Sequence, residues 1–224
     1  MQGVPMRRLV WDVPTRLFHW ALVTLIGFSW WSAATFHMDW HGIAGLAVCG
    51  LLAFRVCWGI WGTSTSRFRH FVKGPRAVRA YLRPRGTTLP TPPLGHNPLG
   101  GWSVLALLAV LLVQVTSGLF AVDVDGIESG PLSFLVTFDQ GRLASRVHGL
   151  SFDVLKFLVV LHIAAILFYL FARRRNLTWV MITGAEVATE RDGPGATRAA
   201  RWGLAVALSI AVLLACWLGN GLAL

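Results

Sequence analysis

The stretch RVHGLSFDVLKFLVVLHIAAILFYLF, residues 146–171, decides how this chain folds. It reads as one helix long and apolar enough to cross a membrane, yet it carries His148 and His162. At about 100° and about 1.5 Å per residue, their spacing returns to within about 40° of the same helix face and climbs about 21 Å. The two imidazoles therefore look out from one stripe, near opposite membrane surfaces.

The rest of the chain supports a membrane reading. Apolar residues make up 55% of its 224 residues, and its mean hydropathy is +0.60, more than an ordinary soluble domain carries. A helix needs roughly 20 residues to cross about 30 Å of hydrocarbon. Five runs approach that length, at 17–35, 41–61, 101–122, 147–171 and 202–220. The predicted fold is an all-α integral membrane protein. Trp20, Trp40, Trp61, Trp102 and Trp202 fall near predicted helix ends, where a half-wetted indole is at home. Asp153 and Lys156 lie inside the fourth run, so its start is expected to project from the bilayer. Being three apart, the two are expected to pair with one another, and a charge facing lipid there is not expected.

Charge predicts the orientation. Arg7, Arg8 and Arg16 precede the first run; Arg67, Arg69, Lys73, Arg76, Arg79, Arg83 and Arg85 crowd the 62–100 connection without an acid; Arg173, Arg174 and Arg175 follow the fourth run. By contrast, 122–146 carries Asp123, Asp125, Glu128 and Asp139 against Arg142 and Arg146. The positive-inside rule places the N-terminus and both basic connections in the cytoplasm and, with five spans, the C-terminus outside. A net charge of +10 invites a nucleic-acid reading, but bases placed beside spans are explained by topology and anionic lipid headgroups. The first run is read as a span rather than a signal peptide, because it is rich in Trp and Phe and His19 interrupts its start. Cys49, Cys57 and Cys216 show no CxxC spacing and read as buried thiols.

Two further histidines complete a constellation. His19 begins span one on the cytoplasmic side and His41 begins span two on the outer side, so His19 matches His162 in depth and His41 matches His148. Packing or hydrogen bonding is the competing reading of any one of them. Two imidazoles make a poor closed zinc site, which takes four protein ligands. Haem brings four equatorial nitrogens and asks the protein only for axial ligands, so two b-type haems stacked across the bilayer are the economical reading. Gly42, Gly45 and Gly149 leave room for a flat macrocycle or for close helix packing. Arg55, fourteen residues after His41, faces either a haem propionate or the cytoplasmic headgroups.

The other histidines read differently. His37 reads as exposed loop, and His70 belongs to RFRHFVKGPRAVRAYL, an interfacial helix broken around Gly74-Pro75. His96 and Asn97 either line a quinone pocket or cap the third span, and the cap is favoured.

The strings VWDVPTRLFHW, WHGIAG with FRVCWGIWG, RFRHFVKGPRAVRAYL, GHNPLGGW and NLTWVMITG, in that order over residues 9 to 184, resemble the bacterial cytochrome b561 family. That family is related to the cytochrome b subunits of nickel-iron hydrogenases and formate dehydrogenases. The resemblance implies a four-helix diheme bundle in the bacterial inner membrane, with two non-covalently bound haems b. It pairs His19 with His162 and His41 with His148 as axial ligands, as the depth argument does. Residues 1–184 form the cytochrome domain, including a cytoplasmic interfacial segment at 62–100, and 185–224 form a linker and a fifth C-terminal transmembrane helix.

The leading expectation is transmembrane electron transfer between the quinone pool and an outer-side redox partner such as a cytochrome c. The acidic 122–146 loop either helps dock that partner or is merely solvated. A second reading is a membrane-anchor cytochrome b subunit of a larger oxidoreductase such as a hydrogenase. A third is a stand-alone haem oxidoreductase acting on superoxide or ferric iron. A non-redox transporter with a histidine proton relay predicts no haem, and no inverted repeat supports it.

Overall fold

A computed structural model describes residues 6–83, 95–188, 203–204 and 206–210. Four long helices dominate: α1 (Val13–Ala34), α2 (Met38–Trp61), α5 (Pro98–Phe120) and α6 (Phe138–Ala172). Each is long and apolar enough to cross a membrane. Between them lie the short helices α3 (Phe68–Phe71) and α4 (Pro75–Leu82), so the basic segment does break at Gly74-Pro75. A 3-10 turn at Ser133–Leu135, the short helix α7 (Leu177–Thr183) and two strands, β1 (Met6–Leu9) and β2 (Ala185–Ala188), complete the described elements.

The helix starts follow local chemistry. Asp12 accepts from the Thr15 amide (2.7 Å) and Pro14 occupies the first turn, so α1 begins four residues before the apolar run. Asn97 caps α5 by accepting from the Gly100 amide (2.7 Å), with Pro98 behind it, which is the favoured cap role. Thr137 and Gln140 form a reciprocal capping box that starts α6 at Phe138, well before the hydrophobic stretch. At 35 residues, α6 is about 52 Å long and exceeds the thickness of the hydrocarbon.

α1 packs on α2 and α5 on α6, and the contact of α2 with α5 joins the two hairpins. Val48, Leu52, Leu111 and Leu155 fill the middle of the bundle, and Phe18, Phe54, Cys57 and Trp58 fill the end that carries the N-terminus. Large apolar side chains also cover the outside, among them Leu112 and Phe157. An apolar exterior is stable only in lipid, and the protein is a multi-pass membrane protein. The bundle has a basic end, holding α3, α4 and α7, and an acidic end, holding the 35–37 and 121–137 connections.

At the basic end β1 pairs antiparallel with β2, Met6 opposite Ala188, so four residues of the expected linker form a strand. The Val10 and Trp11 amides both donate to the Gly184 carbonyl. Gly184 ends α7 at φ 81, and a Cβ there would lie 2.7 Å from the Trp11 carbonyl oxygen, so glycine is required twice over. Of the expected fifth span, residues 203–204 and 206–210 are helical, with Leu204 and Ala207 against Phe18 and Trp58; the rest, including Cys216, lies outside the described residues. Cys57 is buried and Cys49 partly so.

The Asp12 carboxylate ties this end together. Besides capping α1, it accepts from Trp58 Nε1 (3.1 Å), Thr63 Oγ1 (2.5 Å) and Ser66 Oγ (3.0 Å) while 7% exposed. Asn in its place retains the cap oxygen but turns an amide donor toward these three donors. Asp12→Asn is expected to destabilise the folded protein by about 2–3 kcal/mol, read from denaturant unfolding in detergent micelles.

Candidate functional site

Of the five residues singled out by sequence, the structure brings the rings of His41 and His148 together edge to face. Their ring centroids lie 6.0 Å apart with planes at 84°. Each ring is fixed from behind by a neighbouring helix. His41 Nδ1 donates to the Ser29 carbonyl on α1 (2.9 Å), with Ser29 Oγ at 3.0 Å. His148 Nδ1 donates to the Gln114 carbonyl on α5 (2.8 Å). A proton held at Nδ1 leaves Nε2 as the lone-pair nitrogen, the tautomer a metal ligand needs. At His148 that nitrogen accepts from the Gln114 carboxamide (2.9 Å), whose oxygen in turn accepts from Ser151 Oγ (2.5 Å).

These rings border a cavity of about 800 Å³ that opens at the acidic end, past Asp39, Asp123 and Glu128. Gly42, Gly45 and Gly149 line it, and a Cβ at any of them would meet nothing within 4 Å. A cavity of that size suits an organic cofactor. Two imidazoles bonded to one metal at about 2.0 Å each through a ring nitrogen have centroids about 6 Å apart. The separation, the tautomers and the open glycine faces fit a haem, whose binding would displace the Gln114 carboxamide from His148 Nε2. Among the described residues, no third His, Cys, Asp or Glu joins a pair to form a protein-only metal cage.

His19 and His162 lie at the level of the basic end, close enough to interact electrostatically. His19 Nδ1 is enclosed without a hydrogen-bond partner, as expected of a site completed by another group. Arg55 is 4% exposed. It donates to the Ser66 carbonyl (3.2 Å), its guanidinium lies over Phe68 (5.0 Å) and Phe71 (5.9 Å), and the Asp12 charge acts on it. It is therefore held by protein rather than reaching for headgroups.

His96 packs against Trp11 (4.6 Å) and Phe71 (4.7 Å). Burial, then the Arg55 charge, then His162, push its imidazole down to about 3, so it is neutral at pH 7. The chain's two tyrosines meet nearby: Tyr81 and Tyr169 hydroxyls are 3.0 Å apart, and Asn97 Nδ2 donates to Tyr169. The His37 and His70 side chains are exposed, and the His37 carbonyl accepts from the His41 amide (3.1 Å).

Asp12, Ser29, Gln114 and Ser151 are site residues that the sequence reading passed over. Gln114 had a signal, an amide in the otherwise apolar LALLAVLLVQV. The Ser29 carbonyl had none, because a main-chain acceptor leaves no mark in sequence.

Membrane-crossing helices with paired intramembrane imidazoles describe a membrane cytochrome. The family model described as prokaryotic cytochrome b561 matches residues 10–184, and the chain belongs to that family. Membership carries haem b, electron transport and redox partners in general. Comparison with curated proteins and with solved structures gave no match.

The glycine-lined wall makes a direct test. Gly45→Leu places a side chain in the cavity and is expected to lower haem b per chain in a pyridine haemochrome assay. Gly27→Leu, whose Cβ also meets nothing within 4 Å but which does not line the cavity, should leave haem content unchanged.

Proposed function

We propose that this protein transfers electrons across the bacterial inner membrane between the quinone pool and an outer-side redox partner such as a cytochrome c, by way of two haems b. His41 and His148 hold the haem nearer the acidic end, and His19 and His162 the haem nearer the basic end. The acidic end faces outward and the N-terminus faces the cytoplasm, on the positive-inside argument. The observation that carries this reading is the His41–His148 pair, with centroids 6.0 Å apart at the cavity and each ring anchored through Nδ1.

Haem b bound there supplies an iron that alternates between ferrous and ferric. The chain's own residues do the rest. His41 and His148 present Nε2, and their carbonyl partners hold the rings in place. Val48, Leu52, Leu111 and Leu155 pack the space between the two levels and exclude water. Arg55 fixes a positive charge near the inner level, where an anionic group such as a propionate is favoured. Asp39, Asp123 and Glu128 outnumber Arg142 around the outer cavity and leave its lining net acidic, which attracts a basic partner.

Haem quantitation and redox titration of wild type, His148→Ala and His162→Ala test this directly. The expected result is two haems b per chain, with each variant losing a different one of two midpoint potentials. A haem-free wild type prepared with haem supplied, or loss of the same centre in both variants, would overturn the assignment.

A further inference from the structure

Asp153 and Lys156 do pair, at 2.8 Å, but the pair faces outward, with the lysine side chain 48% and the aspartate 68% exposed. Its depth follows from the contacts of α6. The Gly141 carbonyl accepts from the Val122 amide just beyond one end of α5, and Tyr169 meets Asn97 at the other. These levels are about 42 Å apart at about 1.5 Å per residue, and their midpoint falls at residue 155. Hydrocarbon about 30 Å thick centred there extends about ten residues either way, so the ion pair sits at mid-membrane.

The direction is equally clear. Leu155 is 2% exposed and points into the bundle, and at about 100° per residue Asp153 lies about 160° around the helix from it. Charges at this depth ordinarily face protein or water, because lipid offers them no partner. Among the described residues, those of the C-terminal segment pack against Phe18 and Trp58 of α1 and α2 and do not cover this face.

The exposed face also has a seam. Leu150, Asp153, Phe157, Val160, Ala164 and Leu167 are exposed and follow one another at alternating intervals of three and four residues. That spacing is the 3.5-residue repeat of helices packed side by side, and a charged residue within such a seam sets its register.

We propose that a second copy of this chain covers the seam. Copies inserted in one membrane share an orientation, so a two-fold axis along the membrane normal runs their α6 helices parallel and brings like depths together. An acid and a base three residues apart differ in height by about 4.5 Å, within reach of a flexible lysine. Asp153 of one protomer then meets Lys156 of its partner, twice, and the surface is its own complement. A different subunit would have to supply a matching acid and base of its own at this depth.

The test uses full-length, haem-loaded protein bearing two different tags, co-expressed and captured through one tag in mild detergent. Wild type should capture itself. Asp153→Lys chains and Lys156→Asp chains should each lose self-capture by at least tenfold while retaining the wild-type haem spectrum. Co-expressed, the two variants should capture one another, since one offers only cations and the other only anions. Independently, Phe157→Cys in native membranes treated with a membrane-permeant oxidant, copper-phenanthroline in air, should form a disulfide-linked dimer, the two thiols giving up two protons and two electrons to oxygen, whereas wild type and Leu112→Cys, exposed on α5, should not. Wild type that does not capture itself, reversals that leave self-capture intact, or absence of the Phe157→Cys dimer would overturn the proposal.

Discussion

Two imidazole-to-carbonyl hydrogen bonds, His41 to Ser29 and His148 to Gln114, organise the membrane interior of this protein. In hydrocarbon a ring nitrogen without a partner is costly, and the only acceptors always at hand are main-chain carbonyls of neighbouring helices, each with a second lone pair free. Meeting that need ties α2 to α1 and α6 to α5. These are the same two hairpins that the contacts between helices define. One interaction thus sets the tautomer of each ring, its direction and the pairing of the helices that carry it.

The basic end solves the opposite problem. There the chain buries charges, and it does so by surrounding them with donors and acceptors from distant segments. Asp12 draws together the start of α1, the end of α2 and the turn after it, and Arg55 rests on two phenylalanine rings and the Ser66 carbonyl. A buried charge held this way is a fixed source of potential rather than a mobile one.

Helix phase explains what the sequence revealed. The fourteen-residue spacing of His148 and His162, the Asn97 cap and the Gly74-Pro75 break are local patterns, and each appears in the structure where it was expected. Partners far along the chain were beyond reach: Trp58, Thr63 and Ser66 stand 46 to 54 residues from Asp12, and nothing in VWDVPTR announces them. Asp153 and Lys156 lie between these extremes. Their pairing follows from a separation of three, but their outward direction depends on which face of α6 the neighbouring helices take, and α5 fixes that through Gln114.

The pairing of β1 with β2 bears on how the molecule is assembled. Met6 cannot meet Ala188 until nearly all of the cytochrome region has been synthesised and its four helices threaded into the bilayer. A contact of such long sequence separation closes late, because the loop entropy must first be offset by the intervening structure. The two strands therefore act as a closing step. They register only when the hairpins are already side by side, so the strand pair locks an assembled bundle rather than guiding its insertion.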